Sequence, residues 1–319
     1  MRPRLSRLLA LACAALLASI GCSPAATDAQ VVDPTVAETT TGPEVPKKPR
    51  NAHEIATELI SGQIGAFIYM DKVRGTPTGD RLLKIPMVAD ELEGTGLDPQ
   101  KDLERVYIAS PDSQSRRAIL FGEHNLDAEG AHQALQTVLA KSDPPGQAIP
   151  AEGFEAVKVT IKKQTGVVAM LPPNFLVVVP EDLVDHIRDF EKTGGLPIHD
   201  GPEALIAAAK NPGQTVRLPR FPRLPETITT GLMTILLNPA GGAVVDMSGE
   251  DANAEKAIED AELMTENFNK ATSVQLSVFT IRLFDPIKFK AEGNVIKGRL
   301  TLSQDEVDRL AQVAQSFAP

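Results

Sequence analysis

Between residues 156 and 162 the chain alternates strictly, with Val157, Val159 and Ile161 on one side and Lys158, Thr160 and Lys162 on the other. A period of two sends successive side chains to opposite faces, so this is a strand with one face in water. Similar patterning predicts strands over Ile64–Met70, Arg105–Ser110, Arg117–Gly122, Thr165–Met170 and Phe175–Val179. Helical spacing predicts Asp80–Glu93, interrupted at Pro86, then Asp127–Lys141 and Glu181–Thr193. The last of these lines up Leu183, Val184, Ile187 and Phe190 on one stripe and stops at Gly194-Gly195, as a helix lying on a sheet would. Asn51 with Glu54 three residues later caps a short helix whose apolar face is Ile55, Leu59 and Ile60.

The second half reads in a similar order: strand Gln214–Leu218, helix Glu226–Leu237, strand Ala243–Met247, helix Asn253–Thr272 and strand Val274–Phe284. A hairpin follows, Ile287–Glu292 and Val295–Leu302, turning at Gly293-Asn294. A final helix, Gln304–Phe317, opens with the capping box Ser303 to Glu306. The fold class is therefore α+β: two similar halves, residues 53–200 and 201–319, each a mainly antiparallel sheet with helices on one face. The two halves read as a duplicated module that differs by one strand.

The beginning of the chain has another pattern. Arg2, Arg4 and Arg7 precede an unbroken run of thirteen apolar or small residues, Leu8 to Ile20, which is a secretory signal pattern covering residues 1–21. Thirteen helical residues span about 20 Å, short of the ~30 Å hydrocarbon core of a bilayer. The run ends at Ser19-Ile20-Gly21-Cys22, which resembles the lipobox of bacterial lipoproteins, with serine where that class usually has leucine. The resemblance implies that Cys22 is acylated, palmitate included, and becomes the mature N-terminus. Ser23 stands where the class carries its inner-membrane retention aspartate, so the implied address is the outer membrane. An ordinary secreted protein cut after Ala25 is the alternative. Residues 22–52 then form a tether: Pro24, Pro34, Pro43, Pro46 and Pro49 with almost no large apolar residue cannot offset their ordering entropy by burial.

Charge narrows the function. The 319 residues carry 32 basic and 42 acidic side chains, and removing residues 1–21 leaves 29 against 42, a net charge of −13. Such a surface repels phosphate backbones, and no nucleic-acid partner is expected. Two cysteines exclude a disulfide scaffold or a multi-cysteine metal site. The histidines His53, His124, His132, His186 and His199 never stand four apart, so no metal and no cofactor is expected. His124, followed by Asp127 and Glu129, stands out least poorly of the five as a chemical candidate. Asp246, Ser248 and Glu250 mimic a calcium loop, but its sixth position is Asp251 instead of glycine and its twelfth is Ala257 instead of an acid. No serine elbow or phosphate loop is present in the sequence, and no catalytic residue is assigned.

One segment repeats with period three: Arg217-Leu218-Pro219-Arg220-Phe221-Pro222-Arg223-Leu224-Pro225. A polyproline II helix has three residues per turn, so Arg217, Arg220 and Arg223 would form one stripe with neighbours about 9 Å apart. The segment is either a strap, its arginines neutralising nearby acids, or a docking ridge for carboxylates or phosphates. The expected protein is a non-catalytic cell-envelope protein, anchored to the membrane through Cys22 and binding an anionic protein or envelope polymer. The alternative is an envelope hydrolase or ligand carrier with its site between the halves.

Overall fold

The computed structural model describes residues 50–83, 97–113, 115, 117–161, 164–217, 223–276 and 279–316. The signal segment, Cys22, most of the tether, Arg220 and the greater part of the expected helix Asp80–Glu93 lie outside them. The elements in order are α1 (Ala52–Leu59), β1 (Ile64–Tyr69), α2 (Met70–Val73), α3 (Pro77–Leu83), β2 (Leu103–Ser110), β3 (Ile119–His124) and α4 (Ala128–Lys141). Strands β4 (Gln147–Ile149), β5 (Glu155–Ile161), β6 (Gln164–Leu171) and β7 (Phe175–Pro180) follow, then a 3-10 helix over Glu181–Phe190. The remainder is β8 (Leu205–Lys210), α5 (Pro212–Thr215), β9 (Ile228–Leu237), β10 (Ala243–Asp251), α6 (Ala254–Ala271), β11 (Ser273–Leu276), β12 (Phe279–Arg282), β13 (Lys290–Glu292), β14 (Val295–Leu302) and α7 (Gln304–Ser316).

The chain is α+β, but the strands of the two halves join in one sheet rather than forming one each. Twelve of them run β13-β14-β10-β9-β8-β1-β2-β3-β7-β6-β5-β4, every neighbouring pair antiparallel, while β11 and β12 form a separate hairpin. The join is made by β1 and β8, where Ala66 lies opposite Ala207. The ladder closes symmetrically at its ends: the Tyr69 N–H donates to the Ala204 carbonyl (2.9 Å) and the Lys210 N–H to the Gln63 carbonyl (2.7 Å).

In the first half helices cover both faces of the sheet, not one. Strands β2, β3 and β7 are apolar on both sides: Val106 and Leu176 belong to one buried cluster, Tyr107, Phe121 and Val177 to the other. Two apolar faces need two covers. Ala134, Leu135 and Val138 of α4 pack on the first face, which continues across the second half beneath Ala257, Ala261, Met264 and Phe268 of α6 and Val307 of α7. Ala52, Ile55 and Ala56 of α1, with Leu183, Ile187 and Phe190 of the 3-10 helix, pack on the other. That stripe matches the expected one although the backbone coils more tightly than an α-helix.

Three expected elements differ. Residues expected as helix over Glu226–Leu237 form β9, because Gly231, Met233, Ile235 and Leu237 are buried on one face while Leu232, Thr234 and Leu236 are half-buried on the other. Apolar side chains on both sides of a central strand erase the alternation. Of the expected strand Gln214–Leu218, the described residues 214–217 form no strand, and Gln214 and Thr215 end the short helix α5. The strand of that region is β8, whose Ala207-Ala208-Ala209 core gives no period to read. Finally, Val274–Phe284 is bent into the β11–β12 hairpin.

Candidate functional site: a cationic segment and two strand-end junctions

Arg217 and Arg223 are exposed, and among the described residues neither guanidinium has an acidic partner. The backbone beneath them is held. The Arg217 N–H donates to Ser113 Oγ (2.7 Å), Ser113 Oγ donates back to the Arg217 carbonyl (3.2 Å), and the Ser113 N–H reaches the Thr215 carbonyl (2.9 Å). Val216 and Leu224 are buried, at 2% and 6% exposure. Gly213 lies against the far end of the segment, where a Cβ would fall 2.4 Å from the Pro225 carbonyl oxygen, so only glycine fits. The segment thus buries its flanks and leaves the two described arginines in solvent. The expected stripe of three is described at Arg217 and Arg223 only.

The third strand of each meander ends at a buried polar residue beside a bulge. On β2 the register steps between Leu103 and Arg105, opposite Glu123 and His124. On β9 it steps between Ile228 and Thr230, opposite Asp251 and Glu250. An extra residue, Glu104 or Thr229, bends the strand at each place. The His124 N–H donates to the Asn174 carbonyl (3.0 Å), and the Asp251 N–H to the Asn294 carbonyl (2.8 Å). One residue on, the Asn125 N–H donates to the Asp102 carbonyl (2.9 Å) and the Ala252 N–H to the Thr227 carbonyl (3.0 Å). Each strand then enters a helix through a side-chain cap: Asp127 accepts from the Gly130 N–H (2.8 Å), Asn253 from the Lys256 N–H (2.7 Å).

The chemistry at the two ends differs. His124 is 3% exposed and neither ring nitrogen has a partner. Burial pushes its basicity below the ordinary histidine value, against a smaller pull from Asp102. Beside it, buried Glu123 pairs with Arg105 and also accepts the Leu196 N–H (2.6 Å), while Arg105 Nη1 donates to the Leu196 carbonyl (2.8 Å). At the other end, Asp251 and Asp260 are 2% and 5% exposed. Asp251 accepts the Asn253 N–H (3.2 Å), and the Thr227 hydroxyl donates to Asp260. Burial raises the Asp260 carboxyl above the ordinary aspartate range, and neighbouring Asp251 adds to this; Thr227 and Lys256 act the other way.

The other histidines go to separate partners. His53 lies edge-on to Phe67 and Tyr107, with ring centroids at 5.3 and 5.6 Å. His132 meets Glu155, His186 meets Asp189, and His199 meets Glu203. Among the described residues no three His, Cys, Asp or Glu side chains could hold one metal ion. A dish of about 280 Å³ lies among Ser142, Gln147, Lys158, Thr160, Thr165 and Glu181. Its polar groups are already engaged: Thr160 with Thr165 (2.9 Å), Ser142 with the Pro144 carbonyl (2.6 Å), Lys158 with Glu181. Among the described residues no helix is long and apolar enough to cross a membrane.

The Asp251–Asp260 pair escaped the sequence reading, which weighed Asp251 only as part of a failed calcium loop. A signal was present, since Asp260 interrupts the stripe Ala257, Ala261, Met264 and Phe268 of α6. An acid at a core position of an amphipathic helix needs a partner.

No protein-family model and no curated protein matches the chain. Its fold is similar to that of the solved structure of TP0453 in crystal form I, with a TM-score of 0.53 and 13% identity over 84% of this chain and 97% of that one. At that identity the likeness concerns the fold.

Proposed function

We propose that this chain is a lipid-anchored cell-envelope protein that binds an anionic partner, a protein or an envelope polymer, through Arg217, Arg220 and Arg223. One observation carries the binding reading: Arg217 and Arg223 stand in solvent without an acidic partner among the described residues, while Val216 and Leu224 of the same segment are buried. A strap whose arginines neutralise the body's own acids would have paired them. On a protein of net charge −10 the two unpaired arginines, Arg217 and Arg223, are also placed to steer an anion. The anchor is the acylated Cys22, with residues 22–52 as tether and the outer membrane as address. That part rests on Ser19-Ile20-Gly21-Cys22 and the apolar run before it.

We further infer that residues 53–200 and 201–319 are two copies of one module. Each has a three-strand meander, a capped helix and a last strand that returns to pair with the meander's third, β7 on β3 and β14 on β10. The bulges coincide, as do the backbone bonds at His124 and Asp251, and in this alignment Glu123 matches Glu250 and Asn174 matches Asn294. The rival reading, a hydrolase or carrier with its site between the halves, has less support, because the halves meet at β1 and β8 in an unbroken backbone ladder.

Replacing Arg217, Arg220 and Arg223 together by Gln tests the binding. The melting temperature should stay nearly unchanged, since exposed charges contribute about 0–1 kcal/mol each. Retention on immobilised polyglutamate or on vesicles with anionic headgroups should fall. Unchanged retention would overturn the ridge as the binding element. Metabolic labelling with a fatty acid tests the anchor: label on the wild type and none on Cys22→Ala is expected, and an unlabelled wild type would remove the lipoprotein reading.

A further inference from the structure

We propose that the open face of the second half, on β8, β9, β10 and β14, is the contact surface for a second copy of this chain, the two copies packing sheet on sheet about a two-fold axis that runs along β9.

The face is defined by what the two buried clusters leave out. Every member of the cluster beneath α1 and the 3-10 helix falls within residues 52–196, while α6 and α7 pack on the first face. The covered part ends at Phe67 of β1, and the next side chain on that face is Ile206, directly opposite it. Ile206 of β8, Leu232 and Leu236 of β9 and Val244 of β10 are half-exposed and belong to neither cluster. The register sets them on one continuous surface: Ile206 opposite Thr234, Leu232 between Ala208 and Ser248, Leu236 opposite Val244. Strands about 4.8 Å apart that rise about 3.3 Å per residue give four strands of about eight residues a projected area of about 500 Å². Side-chain relief raises the accessible area toward the ~800 Å² that each partner of a stable complex contributes, and exposed apolar surface on that scale marks an interface.

Charge selects the occupant and the axis. Lys210 of β8 and Glu250 of β10 are both exposed, and both lie opposite Thr230 of β9, one on each side of it. Lys210 Nζ has no acidic partner among the described residues, and Glu250 receives only the Thr230 hydroxyl (3.4 Å) and the Asn294 amide (3.5 Å). A two-fold axis along β9 exchanges the strands that flank it, so Lys210 of each copy comes over Glu250 of the other, and symmetry makes the pair twice. On the axis Leu232 and Leu236 meet their own counterparts, as side chains of the two inner faces of a β-sandwich do. An axis across the strands would instead set Lys210 over Ala204 and Glu250 over Val244, charge against carbon. Asp246, the other acid of the face, is already held by Arg299 (3.4 Å). An apolar centre with opposite unpaired charges on either side makes the face complementary to itself.

Sedimentation equilibrium tests this on the chain from residue 22 onward, carrying Cys22→Ala so that no acyl group adds an association of its own. A monomer–dimer equilibrium at micromolar concentration is expected. Leu232→Asp should abolish the dimer. Lys210→Glu and Glu250→Lys should each weaken it about tenfold or more, because each sets like charges face to face twice. The chain carrying both exchanges should regain most of that loss, which a surface merely sensitive to charge would not do. If Leu232→Asp does not fold, the charge exchange still decides. A parent chain that stays monomeric, whether residues 22–52 or another protein covers the face, would overturn the proposal. So would a dimer indifferent to Leu232→Asp, or charge losses that add in the double variant. None of these outcomes bears on the fatty-acid label of the wild type or on Arg217, Arg220 and Arg223.

Discussion

Ala66 lies directly opposite Ala207 where β1 meets β8, and both side chains are buried, at 4% and 2% exposure. This contact is the middle of the only ladder joining the two halves of the sheet among the described residues. Both side chains belong to the buried cluster of the first face. Ala207→Leu should therefore overpack it and cost about 1–3 kcal/mol, while Ala208→Leu, one position along on the exposed side, should cost little. Urea denaturation of both variants checks this, and equal losses would contradict it.

A second tie between the halves is polar. The Gly242 N–H donates to Thr78 Oγ1 (2.8 Å), whose hydroxyl donates to Gln304 Oε1 (2.8 Å), so α3, the β9–β10 turn and α7 share one buried node. Gly242 has φ +90° and a Cβ there would fall 2.3 Å from the Leu302 carbonyl oxygen. Thr78→Val removes the hydroxyl and leaves the Gly242 N–H with one weaker acceptor, at a cost of about 1–3 kcal/mol. Gly242→Ala should cost more, because it meets both strain and backbone. Thermal melts that rank the two the other way would refute the role given to the node.

How much of this was legible depends on what each residue faces. Strands with one wet face, such as Glu155–Ile161, announce themselves by alternation, and helices with a dry stripe, such as α4 and α6, by their spacing. Strand β9 does not, because this interior strand of a twelve-stranded sheet carries apolar side chains on both sides. Its pairing with β8 and β10 overrides the helical look of Leu232-Met233-Thr234-Ile235-Leu236-Leu237. The cationic segment was visible because its period is local. The junctions were not, since His124 meets Asn174 and Asp251 meets Asn294 only after the strands have paired, over separations that no local pattern spans.

The composition of residues 22–52 predicts where proteases act. Limited digestion of the mature protein should cut between Ala26 and Ala52 and release a body that keeps its cooperative melt. Resistance across that whole stretch, read by mass spectrometry of the fragments, would contradict the tether.

The last prediction concerns the ion pair of Arg105 and Glu123, which does more than join two strands. Glu123 is 4% exposed, and its second oxygen accepts the Leu196 N–H, so the chain leaving the 3-10 helix is pinned to β2 and β3 by one carboxylate. Gly195 permits that approach: its φ is +84°, and a Cβ would fall 2.5 Å from Glu123 Oε1. Arg105→Met should be strongly destabilising, by about 3–5 kcal/mol, because it leaves Glu123 buried without its counter-charge. Combining it with Glu123→Gln should recover much of that loss, since a neutral amide can still accept the Leu196 N–H. Gly195→Ala should weaken the same node from the other side, and its effect should not add to that of Glu123→Gln, because both act through one contact. A double-mutant cycle measured by denaturant unfolding decides: independent, additive losses would mean that the carboxylate does not hold the Leu196 backbone in place.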